Sequence, residues 1–272
     1  MAIVTLSSDI GLRDFAVSAI KGQLLTSLPG VTITDISHYL SQTNFPQTAY
    51  ICQASIEHYP HETIHFILVN CFETPVKYML LARYREQWLI CPDNGILTMI
   101  TREKPSTLLQ LDCGSAKSLL DITAIIIRQL PPLLQKTKEY PGKPIRQIVE
   151  KYPLRPTVGP DWMDGQILFI DQFENVVINI TRDEFEEQRN GRTFRFAFNR
   201  NEIIDELSDN YSSVGGTSKL AWFNSAGYLE IAVRHGNIAG LFGLQGYSDP
   251  SAGAPGTYDN RMLYQSVRVF FD

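Results

Sequence analysis

The chain of 272 residues contains no CxxC pair, no cluster of lysines or arginines and no long apolar run, and each absence removes a class of function. The four cysteines, Cys52, Cys71, Cys91 and Cys113, stand singly among apolar neighbours. That pattern fits reduced, buried thiols and not a disulfide framework or a metal knuckle. No stretch approaches the ~18–20 apolar residues of a membrane-spanning helix. The opening MAIVTLSSDI lacks the basic start and apolar core of a secretory signal, so a cytoplasmic protein away from the membrane is expected. The formal charge is −5 with the two signs interspersed, and no nucleic-acid partner is expected of such a surface. No GxGxxG, GxxxxGK or GxSxG motif occurs; Gly215-Gly216 lacks the strand–loop–helix context of a phosphate loop. His58, His61 and His65 have a ligand-like spacing. Pro60 breaks any helix that would align them and His65 falls in a strand pattern, so no metal is expected.

What remains is an ordinary globular composition, 44% hydrophobic and 19% charged, in a chain long enough for two cores. The first half alternates strand and helix. Strands are expected at 2–6, 31–36, 63–69, 78–84 and 87–91, and helices at 14–27, 45–58 and 119–130. Pro92-Asp93-Asn94-Gly95 is a strong turn signal. This order predicts an α/β amino-terminal domain (1–155) with a mostly parallel sheet. Prolines and glycines then punctuate 131–160, read as a linker region with one short helical pattern over 144–151. Beyond it, strand patterns at 166–171, 175–180, 193–198, 220–223, 228–233 and 266–271 are separated by Gly and Asn turns, with at most a short acidic helix at 183–188. They predict an all-β, barrel-like carboxy-terminal domain (161–272). The loop 248–260 is expected to be mobile.

In a mostly parallel sheet, ligands bind outside the carboxyl ends of the strands. That rule selects Ser8-Asp9 after the first strand and Asn70-Cys71-Phe72-Glu73 after the strand Thr63–Val69. Asp9 is suited either to accept both hydroxyls of a ribose or to cap the following helix.

Several motifs, taken in order, resemble the S-adenosylmethionine hydroxide adenosyltransferases, relatives of the fluorinase and chlorinase. Ser8-Asp9-Ile10-Gly11, Asp14 and Lys21-Gly22 resemble the family's opening TDFG-x-x-D…KG. Asp35-Ile36-Ser37-His38 resembles D-I-T-H, and Pro92–Leu97 resembles PDNGLL. Ile170–Asn175 is similar to VD-x-FGN, with Asn179 at a later asparagine. Asn224–Ala232 is similar to NS-x-GYLEIA, followed by Asn237-Ile238-Ala239. The resemblance implies a homotrimer with S-adenosylmethionine or adenosine as ligand and no separate cofactor, the ligand lying between one subunit's first domain and its neighbour's second. It implies that Asp9 holds the ribose hydroxyls and that Asp14, Asp171 and Ser225, beside Asn224, face the methionine amine and carboxylate. Phe173 and Tyr211 would flank the adenine, whose edge Asn175 and the backbone near Ala239 would read.

The departures concern catalysis. Family members that transfer hydroxide carry an aspartate, an arginine and a histidine that activate water. Here Asn70, Lys77 and Ser118 stand in those places, leaving Asp121 of the last motif and Glu73 as a carboxylate in the same loop. An amide cannot take a proton as a carboxylate does. Lysine lacks the planar fork of arginine. The resemblance therefore implies either hydrolysis of S-adenosylmethionine to adenosine and L-methionine by water at the ribose C5′ carbon, or a binding protein that has lost turnover.

Overall fold

The structure, a computed structural model, describes residues 2–73, 75–135, 140–198, 202–244 and 265–272. It divides into two compact units, Met1–Pro153 and Leu154–Asp272. The 248–260 loop lies outside the described residues.

In the first unit, β1 (Ile3–Ser8), β2 (Thr32–Ser37), β3 (Ile64–Leu68), β4 (Tyr78–Tyr84), β5 (Gln87–Pro92), β6 (Leu108–Asp112) and β7 (Lys143–Pro144) form one seven-stranded sheet. Its order is β2-β1-β3-β5-β4-β6-β7. The ladders β2–β1, β1–β3 and β3–β5 are parallel, and the three involving β4 or β7 are antiparallel. The sheet is thus mixed, not mostly parallel. The cause is local: Arg85 (φ 47°) and Glu86 (φ 59°) form a two-residue turn with both residues left-handed, which permits only an antiparallel return.

Helices cover both faces: α1 (Ala16–Ser27), α2 (Phe45–Ile56), α3 (Ile96–Thr101), α4 (Leu119–Gln129) and the single turn α5 (Pro131–Leu134). Alternation along the strands divides the core in two. Val4, Leu6, Phe66, Leu81 and Ile90 pack with Ile20 and Leu24 of α1 and Ile126 of α4. Ile67, Leu80, Leu89 and Cys91 pack with Ala49 and Cys52 of α2 and Ile100 of α3. β1 and β3 are buried on both faces, as central strands of a covered sheet must be, and their polar side chains, Thr5, Ser7, Ser8 and His65, are buried with them.

The segment 145–153 contains no helix. Its backbone is tied to side chains of the neighbouring turn instead: Val149 N donates to Asp93 Oδ1 (2.8 Å) and Lys151 N to Thr98 Oγ1 (2.9 Å).

In the second unit, β8 (Thr157–Val158), β9 (Trp162–Ile170), β10 (Val176–Thr181), β11 (Phe194–Phe198), β12 (Glu202–Ile204), β13 (Lys219–Phe223), β14 (Tyr228–Val233) and β15 (Ser266–Phe271) form an antiparallel sheet. Its order is β12-β11-β15-β9-β10-β14-β13, with β8 on β9. The edges nearly meet: Lys219 of β13 pairs with Glu202 of β12, and Ser208 N donates to Ala221 O (2.8 Å). Near closure hides the edge groups that would otherwise template aggregation. α6 (Arg182–Arg189) starts at a capping box made by Thr181 and Glu184. It buries Phe185 among the rings of Phe194, Phe196, Phe223 and Phe271. Among the described residues no helix is long and apolar enough to cross a membrane.

His65 is fully buried in β3, with Thr5 Oγ1 2.7 Å from Nδ1 and Gln87 Oε1 3.3 Å from Nε2. Gln87 spends its own amide N–H groups on carbonyls, among them Tyr59 O (2.6 Å), so Nε2 carries the imidazole proton and Thr5 donates to Nδ1. Burial lowers its pKa from 6.5 to about 4, against the contact with Gln87. A lowered histidine pKa favours folding above 6.5, and that contribution is lost as the pH falls toward 4. Urea unfolding between pH 6.5 and 4 should lose about 3 kcal/mol from this group, and His65→Gln should flatten that slope.

Candidate functional site

β1 delivers Asp9 to the carboxyl end of the sheet, beside the ends of its parallel neighbours β2 and β3. Its Oδ2 accepts the backbone N–H of Asn70, just beyond β3, at 2.7 Å. Its Oδ1 is shut away from solvent and has no hydrogen-bond partner among the described residues. Burial raises the Asp9 pKa, against the N–H groups of Asn70 and of Asp9 itself. An acceptor in that state costs about 1–3 kcal/mol, which a ligand hydroxyl would offset. Asp9 does not cap the following helix. The N-cap is Phe15, without a side-chain cap bond, and the exposed Asp14 before it accepts Ala16 N through Oδ1 (2.9 Å).

Asn70 is held at φ 53°, and both its amide protons are engaged, on Gln42 O (3.2 Å) and Glu73 Oε2 (2.5 Å). Its carbonyl oxygen is left as an acceptor. The turn after β5 braces this loop, since Asn94 Nδ2 donates to Val69 O (3.0 Å). His38 holds the other flank: its Nδ1 lies 2.7 Å from Ser8 Oγ and its Nε2 3.2 Å from Asp35 Oδ1. Lys77 is exposed, and its carbonyl accepts Cys113 N (3.0 Å). Ser118 is the N-cap of α4: its Oγ accepts Asp121 N (3.2 Å), and Asp121 Oδ2 takes Lys117 N and Ser118 N, each at 3.0 Å. All four cysteines are free and buried. Burial pushes Cys71 up to about 12, with the Asp9 charge adding to it, so these thiols are unreactive near neutral pH.

The same end of the sheet carries exposed apolar side chains: Leu12 and Phe15 after β1, Tyr39 after β2 and Phe72 after β3, all more than half exposed.

The second unit has its own cluster. Asp171, at the end of β9, shapes the loop into β10: its Oδ1 accepts Phe173 N (2.9 Å) and Asn175 N (2.8 Å), and its Oδ2 accepts Asn175 Nδ2 (3.0 Å). The loop holds Glu174 at φ 62° and presents the Phe173 ring 74% exposed, in place of the core packing that an apolar strand end suggests. Glu174 O accepts the N–H of Ala239 (3.1 Å), so the Ala239 N–H is engaged within this unit. Asn224 closes the β13–β14 turn through Ala226 N and Tyr228 N, leaving Ser225 exposed at its tip. Tyr211 is half-buried, its hydroxyl donating to Val233 O (3.3 Å) and accepting His235 N (3.1 Å).

Within this unit the structure gathers Asp171, Asn175 and Asn224 around a residue that the sequence reading passed over, Glu230. This carboxylate is 6% exposed in β14. It accepts Trp222 Nε1 (3.1 Å), Asn224 Nδ2 (3.1 Å) and Asn175 Nδ2 (3.4 Å). Burial raises its pKa, the donors from Asn224 and Trp222 oppose that, and the Asp171 charge adds to it. The available signal was a lone carboxylate within the apolar run Tyr228–Val233. Among the described residues no three His, Cys, Asp or Glu side chains gather as a metal site.

The raised Asp9 pKa has a measurable sign. Its folded-state preference for the neutral form favours folding below 3.8 and is lost as the pH rises through the folded value. Asp9→Asn, neutral at every pH, should therefore raise the thermal midpoint of the unliganded protein at pH 7, and the gain should shrink toward pH 4. An unchanged or lower midpoint at pH 7 would contradict the assigned burial.

Residues 4–122 match the model of the SAM hydroxide adenosyltransferase N-terminal domain, and residues 165–249 that of the C-terminal domain. The chain is 24% identical over 257 residues to the (R)-S-adenosyl-L-methionine hydrolase of Thermus thermophilus, covering 88% of this chain and 94% of the relative. Its namesake in Methanocaldococcus jannaschii is 24% identical over 193 residues, covering 67% and 68%. The fluorinase of Actinopolyspora mzabensis is 22% identical over 292 aligned positions, covering 89% and 94%. In fold, the chain resembles an uncharacterized conserved protein from Thermotoga maritima (TM-score 0.75, 19% identity, 99% of this chain and 100% of that one). A conserved hypothetical protein from Thermus thermophilus is also similar (TM-score 0.68, 19% identity, all of both chains). With both family domains matched in order, and with relatives aligned along most of its length, this chain belongs to the SAM hydroxide adenosyltransferase family.

Proposed function

We propose that the chain binds S-adenosylmethionine in the cytoplasm and hydrolyses it to adenosine and L-methionine. The observation that carries this reading is the buried, unpartnered Oδ1 of Asp9, at the strand end where a ribose diol would supply the missing donor. Within the second unit, the exposed Phe173 side chain offers a stacking face worth about 1–3 kcal/mol to a base, and Asn175 an amide. Asp14, Ser225, Asn224 and Asp171 serve the amino-acid end, and Tyr211 and the backbone near Ala239 border the base.

In the reaction the water oxygen bonds to C5′ as the C5′–S bond breaks. The sulfonium leaves as the neutral thioether of methionine, and one proton is released. The leaving group needs no acid. The protein has to align the water and hold it away from bulk solvent. Asn70 presents its carbonyl oxygen to orient that water, since both its N–H bonds are held by Gln42 and Glu73. Glu73, at the other end of that bond, is the carboxylate available to receive the proton, while Lys77 and Ser118 border the loop. A second reading, a holder without turnover, is favoured by one observation: Ser118 Oγ is engaged as a helix cap in the place where the resemblance puts a histidine.

The two readings separate in one assay. Incubation with S-adenosylmethionine, followed by mass spectrometry, should yield adenosine and methionine in equal amounts. Asp9→Ala should weaken binding by about 10- to 100-fold through loss of a charge-assisted bond. Glu73→Gln should slow turnover by roughly 10²–10⁴-fold with binding retained. Calorimetric binding with product at the no-protein background leaves the holder; no heat with S-adenosylmethionine or adenosine at millimolar concentration removes both.

The exposed apolar side chains Leu12, Phe15, Tyr39 and Phe72, which follow the ends of β1, β2 and β3, support self-association. Light scattering after gel filtration should give three times the 30.8 kDa chain mass. Phe15→Glu should lower that mass.

A further inference from the structure

A cavity of about 340 Å³ opens at the other end of the first sheet, between α2, the end of α3 and the β4–β5 turn. β4 runs against β5, and β5 is parallel to β3 and so to β1. Tyr84 at the end of β4, and Arg85 after it, therefore lie at the edge opposite to Asp9.

The polar side chains in this cavity are unengaged. The Tyr84 hydroxyl, the Gln53 amide and the Ser106 hydroxyl line it, and none of the three has a hydrogen-bond partner among the described residues. Burial raises the Tyr84 pKa, against the charges of Arg85 and Arg102 and with those of Glu57 and Glu103. The hydroxyl thus keeps its proton near neutral pH and is available as a donor.

Two exposed guanidinium groups join these donors. Arg85 lies 5.2 Å from the centre of the Tyr84 ring, and Arg102, the C-cap of α3, lines the same space. Both stand at left-handed positions, φ 47° and 62°, which glycine or asparagine would hold at less cost. Arg85 pairs with Glu57, but each partner is about half open to water, and a pair in that setting contributes little. The guanidinium of the third lining arginine, Arg83, is already taken by Glu62 and Glu86. Against Arg85 and Arg102 stands one lining carboxylate, Glu103.

We propose that this cavity binds a phosphoryl group, free or carried on a small organic ester, at a site separate from the nucleoside site. A carboxylate would fill one guanidinium fork and leave the hydroxyls and the amide without acceptors. A phosphoryl group carries three or more acceptor oxygens with most of two negative charges, enough for both arginines and the neutral donors together. The cavity is wider than a lone phosphate needs, and the remainder accommodates the body of an ester.

Calorimetry on the full chain with inorganic phosphate, glycerol 3-phosphate and glycerol tests this. Both phosphates should give heat at millimolar concentration and glycerol none. Arg85→Gln and Arg102→Gln should each weaken phosphate binding about 10-fold, and Tyr84→Phe several-fold. Saturating adenosine should leave the phosphate affinity in place. Tighter binding of the ester supports a small organic phosphate as occupant, and equal affinity supports free phosphate. No heat with either phosphate would overturn the proposal. So would affinities that both arginine variants leave unchanged, because the anion would then sit elsewhere. Neither of those results bears on the nucleoside reading.

Discussion

An oxygen acceptor held out of water with nothing to accept from is an expensive feature, and each unit maintains such acceptors. Asp9 Oδ1 and Asn175 Oδ1 are both buried and unpartnered, and in both the rest of the side chain is tightly engaged. The cost, about 1–3 kcal/mol for each, is borne by cores that are otherwise conventionally packed. In the first unit Asp9 follows the buried strand β1 and is held by the N–H of Asn70. In the second, the 171–175 loop is drawn around the Asp171 carboxylate, and Glu230 closes it from below. The surroundings of each acceptor are built before any ligand arrives, and that is the condition under which a binding contact costs little reorganisation.

The surroundings of the loop after β3 are different in kind. Asn70 carries three bonds in the loop architecture: its backbone N–H to Asp9 and its amide to Gln42 and Glu73. It links the ribose-side carboxylate to the loop that carries Glu73, and a change there moves both. Ser118 is equally committed, as the cap of α4. Under the proposed hydrolysis, a loop braced in this way would serve through alignment of the water more than through proton abstraction.

Much of this was legible in the sequence, and the failures have specific causes. The strands of the amino-terminal unit were recoverable from apolar runs, and Asp9 was singled out because the first run stops just before it. The direction of the sheet was not, because apolar composition does not distinguish a parallel central strand from an antiparallel one; the Arg85-Glu86 turn decides it through backbone conformations that neither residue type advertises. The helix expected over 144–151 is absent because Asp93 and Thr98 capture the backbone N–H groups that a helix would use. α3, only six residues long, and β12, only three, fall below the length at which periodicity is readable. Glu230 escaped notice because a charged residue in an apolar strand is informative only once its three donors are seen.

The state of Asp9 is the most direct test of the account. The carboxyl carbon of Asp9 can be titrated by ¹³C NMR with and without saturating adenosine. The account predicts a pKa above the ordinary aspartate value of 3.8 in the unliganded protein, from burial, and a fall on adding adenosine as the ribose hydroxyls donate to the charged form. A titration that adenosine leaves unmoved would mean that no hydroxyl reaches Oδ1, and the assignment of this strand end as a nucleoside site would be wrong.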